Sequence, residues 1–357
     1  MSPLPPPPAV SFASDNFAGV CPEVLDALVA ANTPAAPAYG ADRWSTAAIE
    51  ALRDLFGVPV EVLWCWGGTG ANVVGLASVL RPFEAIVCTD TAHVFVDECG
   101  APTRLTGCPM LPVAHVDGKL TPAALESQLH GLGVEHHPQP GVVTISQSTE
   151  LGTVYSAAEI AALAELAHRH GLRLHVDGAR LANAVVATGT SPAAMLVDTG
   201  VDVLTFGATK NGAMYGEAVV FLRPDLAGTA RYTRKLAGQL PSKSRFVAAQ
   251  FLALLEDDLW LANARRANAA ASLLHRLAAD LPGVDVGAPP ACNALFPRLP
   301  AEHAVAMRDW SFFWDWDEPR SVYRWMTSFA TTDADVEAFV AGIRAILGAG
   351  PARGTPT

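Results

Sequence analysis

The chain has 357 residues, of which half are hydrophobic and 17% are charged, and 35 acidic against 24 basic side chains give a net charge of −11. This length suits one large domain or two unequal ones, and the composition excludes a disordered chain or a coiled coil. The acidic balance also argues against a nucleic-acid partner, so an anionic ligand needs a locally built site.

Residues 62–80 form an uncharged stretch that is long enough to cross a bilayer, but the turn sequence GGTGAN lies at its centre. We therefore expect no membrane span. The first ten residues, MSPLPPPPAV, lack the basic and apolar regions of a secretory signal, and the six cysteines show no CxxC spacing. These features predict reduced thiols and a cytoplasmic protein.

The organisation along the chain predicts two domains. Residues 1–10 form a proline-rich arm, 11–249 a large domain, 250–347 a small α+β domain, and 348–357 a flexible tail. In the large domain, amphipathic stretches alternate with short apolar runs, which indicates an α/β fold with a mostly parallel sheet and helices on both faces. The predicted strands cover residues 61–66, 85–89, 142–146, 172–176, 201–206 and 218–222.

Three of these strands are followed directly by residues that can bind a ligand or take part in a reaction. The first is followed by GGTGAN, another by Asp177-Gly178-Ala179-Arg180, and a third by the loop that contains Lys210. Open parallel sheets bind ligands beyond the carboxyl ends of their strands. If the three strands are parallel neighbours, these segments meet at one edge of the sheet.

The glycine-rich segment is a candidate anion site. Gly68, Thr69 and Gly70 precede a helical run, and the N-terminus of a helix offers free N–H groups and the positive end of its dipole. The segment fits neither GxGxxG nor a P-loop, and an ordinary strand-to-helix turn is the alternative.

Lys210 and Asp177 complete a possible cofactor site. Lys210 is either a surface lysine or a partly buried amine with a lowered pKa, suited to condensation with a carbonyl group. Asp177 either caps the following helix or holds a heterocyclic nitrogen protonated. An amine, a carboxylate and a phosphate-binding turn together describe a site for pyridoxal 5′-phosphate (PLP).

With these motifs, the sequence resembles the L-threonine aldolase family, which has the aspartate-aminotransferase-like fold of PLP enzymes (fold type I) and is grouped with the β-eliminating lyases. The resemblance covers most of residues 12–250 and is looser in the small domain. The matching segments are Phe12–Asn16, Tyr39–Asp42, Gly68–Asn72, Thr91–His93 with Glu98–Ala101, His175–Leu181 and Thr209–Gly212. Two departures, Ala41 and Ala208, leave the side-chain preference of the substrate open.

The resemblance implies roles for individual residues. Lys210 would carry PLP, Asp177 would pair with its ring nitrogen, and His93 would stack on the ring. The phosphate would be held by Gly68, Thr69 and Gly70.

Further residues are implied as substrate or cofactor ligands. Arg180 would bind the substrate carboxylate, with help from Ser14 and from a second arginine, which is Arg324 or Arg320. Lys243 is either a ligand of the phosphate in a neighbouring subunit or a plain surface lysine.

The resemblance implies PLP-dependent, reversible cleavage of L-threonine, L-allo-threonine or a related β-hydroxy-α-amino acid such as phenylserine into glycine and an aldehyde. We predict that His93 or His136, directly or through a water, is the base for the β-hydroxyl proton, and that no metal is needed. His136 can equally be a solvated surface residue. Shared active sites in a homodimer or homotetramer are expected.

Three alternatives stay open from the sequence. Another PLP-dependent β-eliminating lyase or an aminotransferase would use the same cofactor residues. A nicotinamide oxidoreductase would use the glycine turn but would not need Lys210. A non-catalytic relative would retain the fold for binding alone.

Overall fold

The structure is a computed structural model, and it describes residues 4–348. Its strands are β1 (Glu61–Cys65), β2 (Glu84–Thr89), β3 (Met110–Val113), β4 (Gln139–Ser146), β5 (Arg173–Gly178), β6 (Val203–Gly207), β7 (Glu217–Phe221), β8 (Ala294–Leu295), β9 (Trp314–Asp317) and β10 (Val322–Met326).

The α-helices connect and cover these strands. They are α1 (Pro22–Ala31), α2 (Arg43–Phe56), α3 (Gly68–Val79), α4 (His93–Val96), α5 (Ala101–Thr106), α6 (Pro122–Glu126), α7 (Ala157–Arg169), α8 (Leu181–Thr188), α9 (Ala230–Leu236), α10 (Arg245–Leu255), α11 (Leu259–Ala278), α12 (Ala301–Trp310) and α13 (Asp333–Gly348). None of the helices within residues 4–348 has the length and hydropathy needed to cross a bilayer.

Across the described part of the chain, the large sheet has seven strands in the order β1-β7-β6-β5-β4-β2-β3, and β7 runs in the direction opposite to the other six. The predicted α/β class with a mostly parallel sheet is therefore confirmed. From the sequence we considered the three site-bearing strands as parallel neighbours. In the structure β1 and β6 are not adjacent, because β7 lies between them. Since β7 is antiparallel to both, β1 still runs in the same direction as β5 and β6, and all three strands end at the same edge.

Local sequence signals account for many of the element boundaries. The Ser156 hydroxyl accepts from the Glu159 N–H while the Glu159 side chain accepts from the Ser156 N–H, a capping box that starts α7. The Thr121 hydroxyl accepts from the Ala124 N–H and caps α6, and Pro122 is the first residue of that helix. The sequence missed β3, a four-residue edge strand whose Pro112 cannot donate to a ladder.

The chain divides into two compact units, and the larger one comprises residues 20–260. The smaller unit combines residues 4–19 with 261–348, and it contains a three-stranded sheet in the order β8-β10-β9. This division falls eleven positions after the predicted boundary at 249–250. The N-terminal segment groups with the C-terminal residues because Phe12 stacks on Phe339 at 4.3 Å and the Trp310 indole donates to the Pro5 carbonyl at 2.7 Å.

The two predicted terminal segments are only partly described. Residues 4–10 of the proline-rich arm lie in the smaller unit. Gly348, the first residue of the predicted tail, is the last residue of α13, and residues 349–357 lie outside the described part of the chain.

Candidate active site

A cavity opens at the carboxyl edge of the large sheet, entirely within residues 20–260, and its empty volume is about 380 Å³, part of it open to solvent. Its walls come from the segments that follow β1, β2, β4, β5 and β6. The lining residues are Gly68, Asn72, His93, Glu98, Ser146, Ser148, Glu150, Asp177, Ala179, Arg180 and Lys210.

The glycine segment forms the first turn of α3, which begins at Gly68 with Gly67 as its N-cap. The first N–H groups of a helix have no partner inside the helix and attract anions. A Cβ at Gly70 would lie 2.1 Å from the side-chain carbon of Gln239, so a larger residue here would have to displace the end of that side chain. This geometry supports the predicted anion site and adds Gln239, which the sequence did not indicate.

Asp177 is buried at the end of β5, between Ser146 of β4 and Thr205 of β6. Its Oδ1 accepts from the Ala179 N–H at 3.0 Å, and its Oδ2 accepts from the Asn72 amide at 2.8 Å. Burial alone would raise the pKa of Asp177, but the charges of Lys210 and His93 and these hydrogen bonds hold its pKa below the ordinary value. Asp177 is therefore a fixed negative charge in the cavity.

His93 begins α4 and is joined to Asp177 by a chain of hydrogen bonds. Its Nδ1 lies 3.0 Å from Glu98 Oε1, and the same carboxylate oxygen accepts from the Asn72 amide at 2.9 Å. The hydrogen bond to Glu98 raises the pKa of His93, against the opposing effect of burial. Ligand atoms of His93, Glu98 and Asp177 lie within 4.8 Å of one another, a spacing that metal ions use, but the Asn72 amide already bridges the two carboxylates.

Glu150 lies just after β4 and was not singled out by the sequence. Its Oε1 accepts from the His93 N–H at 2.8 Å and from the Ser146 hydroxyl at 2.5 Å. Burial raises the pKa of Glu150, and these hydrogen bonds only partly oppose that effect.

Lys210 follows β6 in a turn held by another buried acid, Glu217 at the start of β7. Glu217 accepts from the Ala208 N–H at 2.6 Å and from the Thr209 side chain. Burial raises the pKa of Glu217 to about 7, which the hydrogen bonds and the charge of Lys210 oppose. A Cβ at Gly207 would lie 2.6 Å from the Ala179 backbone, so glycine lets the Lys210 and Asp177 segments approach each other.

The structure does not bring His136 to this cavity. Its side chain is 82% exposed and lies three residues before β4, whereas the cavity begins at the other end of this eight-residue strand, at Ser146. At the usual rise of a strand this is roughly 25 Å away. Lys243 is exposed just before α10, four residues after Gln239.

Ser14 and both candidate arginines belong to the smaller unit. The Arg324 guanidinium donates to the Ala13 carbonyl at 3.2 Å, so Arg324 lies next to the Ser14 segment. Arg320 is 75% exposed and pairs with Asp317 at 3.2 Å. This placement favours Arg324 over Arg320 as the partner of Ser14.

Comparisons with known proteins identify the family. The sequence profile described as "Beta-eliminating lyase" matches residues 11–296. The low specificity L-threonine aldolase of Pseudomonas aeruginosa is 42% identical over 95% of this chain and 98% of its own length, and that of Pseudomonas sp. is 41% identical over the same shares. The chain belongs to the threonine aldolase family of β-eliminating lyases.

Solved structures agree with this membership. The threonine aldolase of Leishmania major is 31% identical, with a TM-score of 0.87 over 94% of this chain and 99% of that one. An aspartate aminotransferase from Rhodobacter sphaeroides, 19% identical with a TM-score of 0.68, shares the fold over 98% of this chain and 93% of its own. The predicted relation to aminotransferase-like PLP enzymes is thus confirmed at the level of the fold.

In this threonine aldolase family member, sequence motifs included some of the acids in and around the cavity but not others. Glu98 and Asn72 lay inside recognised motifs, so their position in the site could have been anticipated. Glu150 and Glu217 had no such signal. A buried acid beside a strand is visible only once neighbouring strands are aligned, because its partners are distant in the sequence.

Proposed function

We propose that this chain catalyses the PLP-dependent, reversible cleavage of L-threonine, L-allo-threonine and related β-hydroxy-α-amino acids, including phenylserine, to glycine and an aldehyde. The observation that carries the proposal is that Lys210, Asp177 and the first turn of α3 line one cavity. The names of the Pseudomonas relatives, at 41–42% identity over nearly the full length, support the same reaction.

The cavity has the donor set that PLP requires. The glycine turn offers helix N–H groups to a phosphate, and Asp177 offers an ionised carboxylate to a protonated ring nitrogen. Two buried polar atoms of the cavity, Asn72 Oδ1 and Glu98 Oε2, have no hydrogen-bond partner within the protein. Such atoms normally find a partner, which is consistent with a polar group bound there.

The residues of this chain would then divide the work. Lys210 would hold the cofactor through its amine, Gly68, Thr69 and Gly70 would bind the phosphate, and His93 would cover the ring. When bound, PLP supplies an electron sink for the bond between Cα and Cβ. Asp177 keeps that sink effective because it stays negative and holds the ring nitrogen protonated.

Substrate orientation would depend on the arginines. Arg180 lines the cavity and its planar guanidinium suits two-point binding of a carboxylate. Ser14 and Arg324 stay predictions as further carboxylate ligands, on the strength of the family resemblance. When the carboxylate is held at a fixed point, the substrate has one orientation, and this orientation decides which bond at Cα can break.

Assembly and location also stay proposals. We propose a homodimer or homotetramer in which Lys243 binds the phosphate of a neighbouring subunit. We propose a cytoplasmic location, which the six free cysteines support, because disulfides are common in oxidising compartments.

The test of the proposed function is a panel of β-hydroxy-α-amino acids with purified protein and added PLP. We expect glycine and the matching aldehyde in equal amounts, acetaldehyde from L-threonine and benzaldehyde from phenylserine. Release of ammonia with a 2-oxo acid would indicate a β-eliminating lyase instead. Transfer of the amino group to an added 2-oxo acid would indicate an aminotransferase.

A further inference from the structure

Glu150 is a partly buried acid in the cavity, and the resemblance implies no role for it. It shares the cavity with Arg180, Asp177 and Lys210. Two donors, the His93 N–H and the Ser146 hydroxyl, fix its Oε1. The carboxylate is therefore held in one place by the segment that follows β2 and by the last residue of β4, and side chains that act on a substrate are positioned in this way.

The other acidic groups and the imidazole of the cavity are less suited to take a proton from a substrate, and the only acceptor atom of Glu98 without a partner, Oε2, is enclosed in the protein. Asp177 accepts from Asn72 and Ala179 and has a lowered pKa, so it is a weak base. Glu98 accepts from Asn72 and is bonded to His93 Nδ1. The raised pKa of His93 increases the fraction in the cationic form, which cannot accept a proton.

The pKa of Glu150 is shifted in the direction opposite to that of Asp177. Its burial raises its pKa, with a further contribution from the negative charge of Asp177, and this makes its carboxylate a stronger base than an exposed one. A general base works best when its pKa is shifted toward the working pH. Among titratable residues, Asp177 on β5 raises the pKa of Glu150 through its charge, and His93 on α4 lowers it through its backbone N–H. Glu150 in turn raises the pKa of Cys88 on β2 and of Tyr155.

We propose that the Glu150 carboxylate is the base that takes the β-hydroxyl proton of the substrate; this assignment rests on the aldolase function proposed above. The proton moves from the hydroxyl to Glu150, and the O–H electron pair becomes the second bond of the aldehyde carbonyl. The bond between Cα and Cβ breaks, its electron pair stays with the Cα fragment, and a proton added at Cα completes glycine. In the reverse direction protonated Glu150 returns its proton to the oxygen of the new alcohol.

The variant Glu150→Gln tests this role, because its amide oxygen can still accept from His93 and Ser146 but cannot take up a proton. The reaction has a companion that needs no β-hydroxyl base, the exchange of the glycine α-proton with D2O. In PLP-loaded protein we expect threonine cleavage to fall about 100-fold or more, while glycine exchange, followed by NMR, stays within about fivefold. The glycine affinity, read from the absorbance of the bound cofactor, should also stay within about threefold.

Two further variants serve as comparisons for Glu150→Gln. Glu165→Gln makes the same substitution at an exposed position of α7 and should leave every rate unchanged. Glu150→Asp retains a carboxylate one methylene further back, so its cleavage rate should lie between those of the wild type and Glu150→Gln. It also provides the comparison if Glu150→Gln does not fold, because a purely structural acid would make cleavage and exchange fall together in Glu150→Asp.

Three outcomes would overturn the assignment. The first is cleavage by Glu150→Gln within threefold of the wild type. The second is an equal loss of cleavage and glycine exchange, which would assign Glu150 to positioning His93. The third is a wild-type protein that exchanges the glycine proton but cleaves no β-hydroxy amino acid; this overturns the proposed function itself, and the base assignment with it.

Discussion

The side-chain nitrogen of Asn72 lies 2.8 Å from a carboxylate oxygen of Asp177. The same nitrogen donates to Glu98 at 2.9 Å, so one amide separates two buried acids that would otherwise repel each other. This bridge connects the first turns of α3, the end of β5 and the segment that carries His93. It makes the electrostatics of the cavity depend on a residue with no charge of its own.

Removal of the bridge by Asn72→Ala should destabilise the protein. Both carboxylates would lose a donor, and a buried acceptor left without a partner costs about 1–3 kcal/mol. The urea unfolding midpoint should therefore fall, and PLP should bind more weakly because the pKa of Asp177 rises. Asn32→Ala, at an exposed position after α1, is the matched control and should change neither quantity. An unchanged midpoint for Asn72→Ala would contradict the bridging role.

Glu217 should make the stability of the protein depend on pH. Its pKa in the folded protein is about 7, above the ordinary 4.5, so its contribution is fully present below pH 4.5 and is lost as the pH rises through about 7. A shift of this size corresponds to on the order of 3 kcal/mol. Glu217→Gln can still accept from the Ala208 N–H and should lose less stability than the wild type between pH 5 and pH 8. If urea titrations show that the wild type and Glu217→Gln lose the same unfolding free energy between pH 5 and pH 8, Glu217 does not titrate as described.

Gly70→Ala should weaken cofactor binding without unfolding the protein. The added methyl meets the end of the Gln239 side chain, so this side chain must shift at the first turn of α3, where we propose that the phosphate binds. We expect the dissociation constant for PLP to rise at least about tenfold, measured by absorbance titration. Gly228→Ala adds a methyl where no atom lies within 4 Å and should leave PLP affinity unchanged. Equal affinities in both variants would argue against a phosphate at this turn.

Glu98→Gln should lower the pKa of His93, because the hydrogen bond to this carboxylate is the main cause of its elevation. A raised histidine pKa contributes stability that is present below about pH 6.5 and is lost as the pH rises through the value in the folded protein. Measured by an NMR titration of the imidazole, the pKa should fall in Glu98→Gln. The stability difference from the wild type should also be larger at pH 6 than at pH 9. A His93 pKa that does not move would assign its elevation to other charges.

The sequence predicted the fold class and the site residues that lie inside recognised motifs. The apolar runs over residues 61–66, 172–176 and 201–206 predicted strands and, through their shared direction, the edge that Asp177 and Lys210 share. The antiparallel β7 between β1 and β6 was not foreseen, because an apolar strand has the same pattern in either direction. Strand order depends on pairing between distant segments.

The acids around the cavity were the other gap. Nothing in the local pattern of Glu150 or Glu217 separates a buried acid from an exposed one, and each is defined by donors that lie elsewhere in the chain. His136 illustrates the converse. Its neighbourhood before β4 suggested a site residue, but the sheet places it at the opposite end of that strand from the cavity.

The proposed function depends first on the Lys210 amine, which would carry PLP opposite the Asp177 carboxylate. Reduction of the PLP-loaded protein with borohydride, followed by proteolysis and mass spectrometry, tests it most directly. We expect a pyridoxyl group on the peptide that contains Lys210, and none on that peptide in Lys210→Ala. A cofactor-loaded protein that remains unmodified at Lys210 after reduction, or is modified at another lysine, would contradict it.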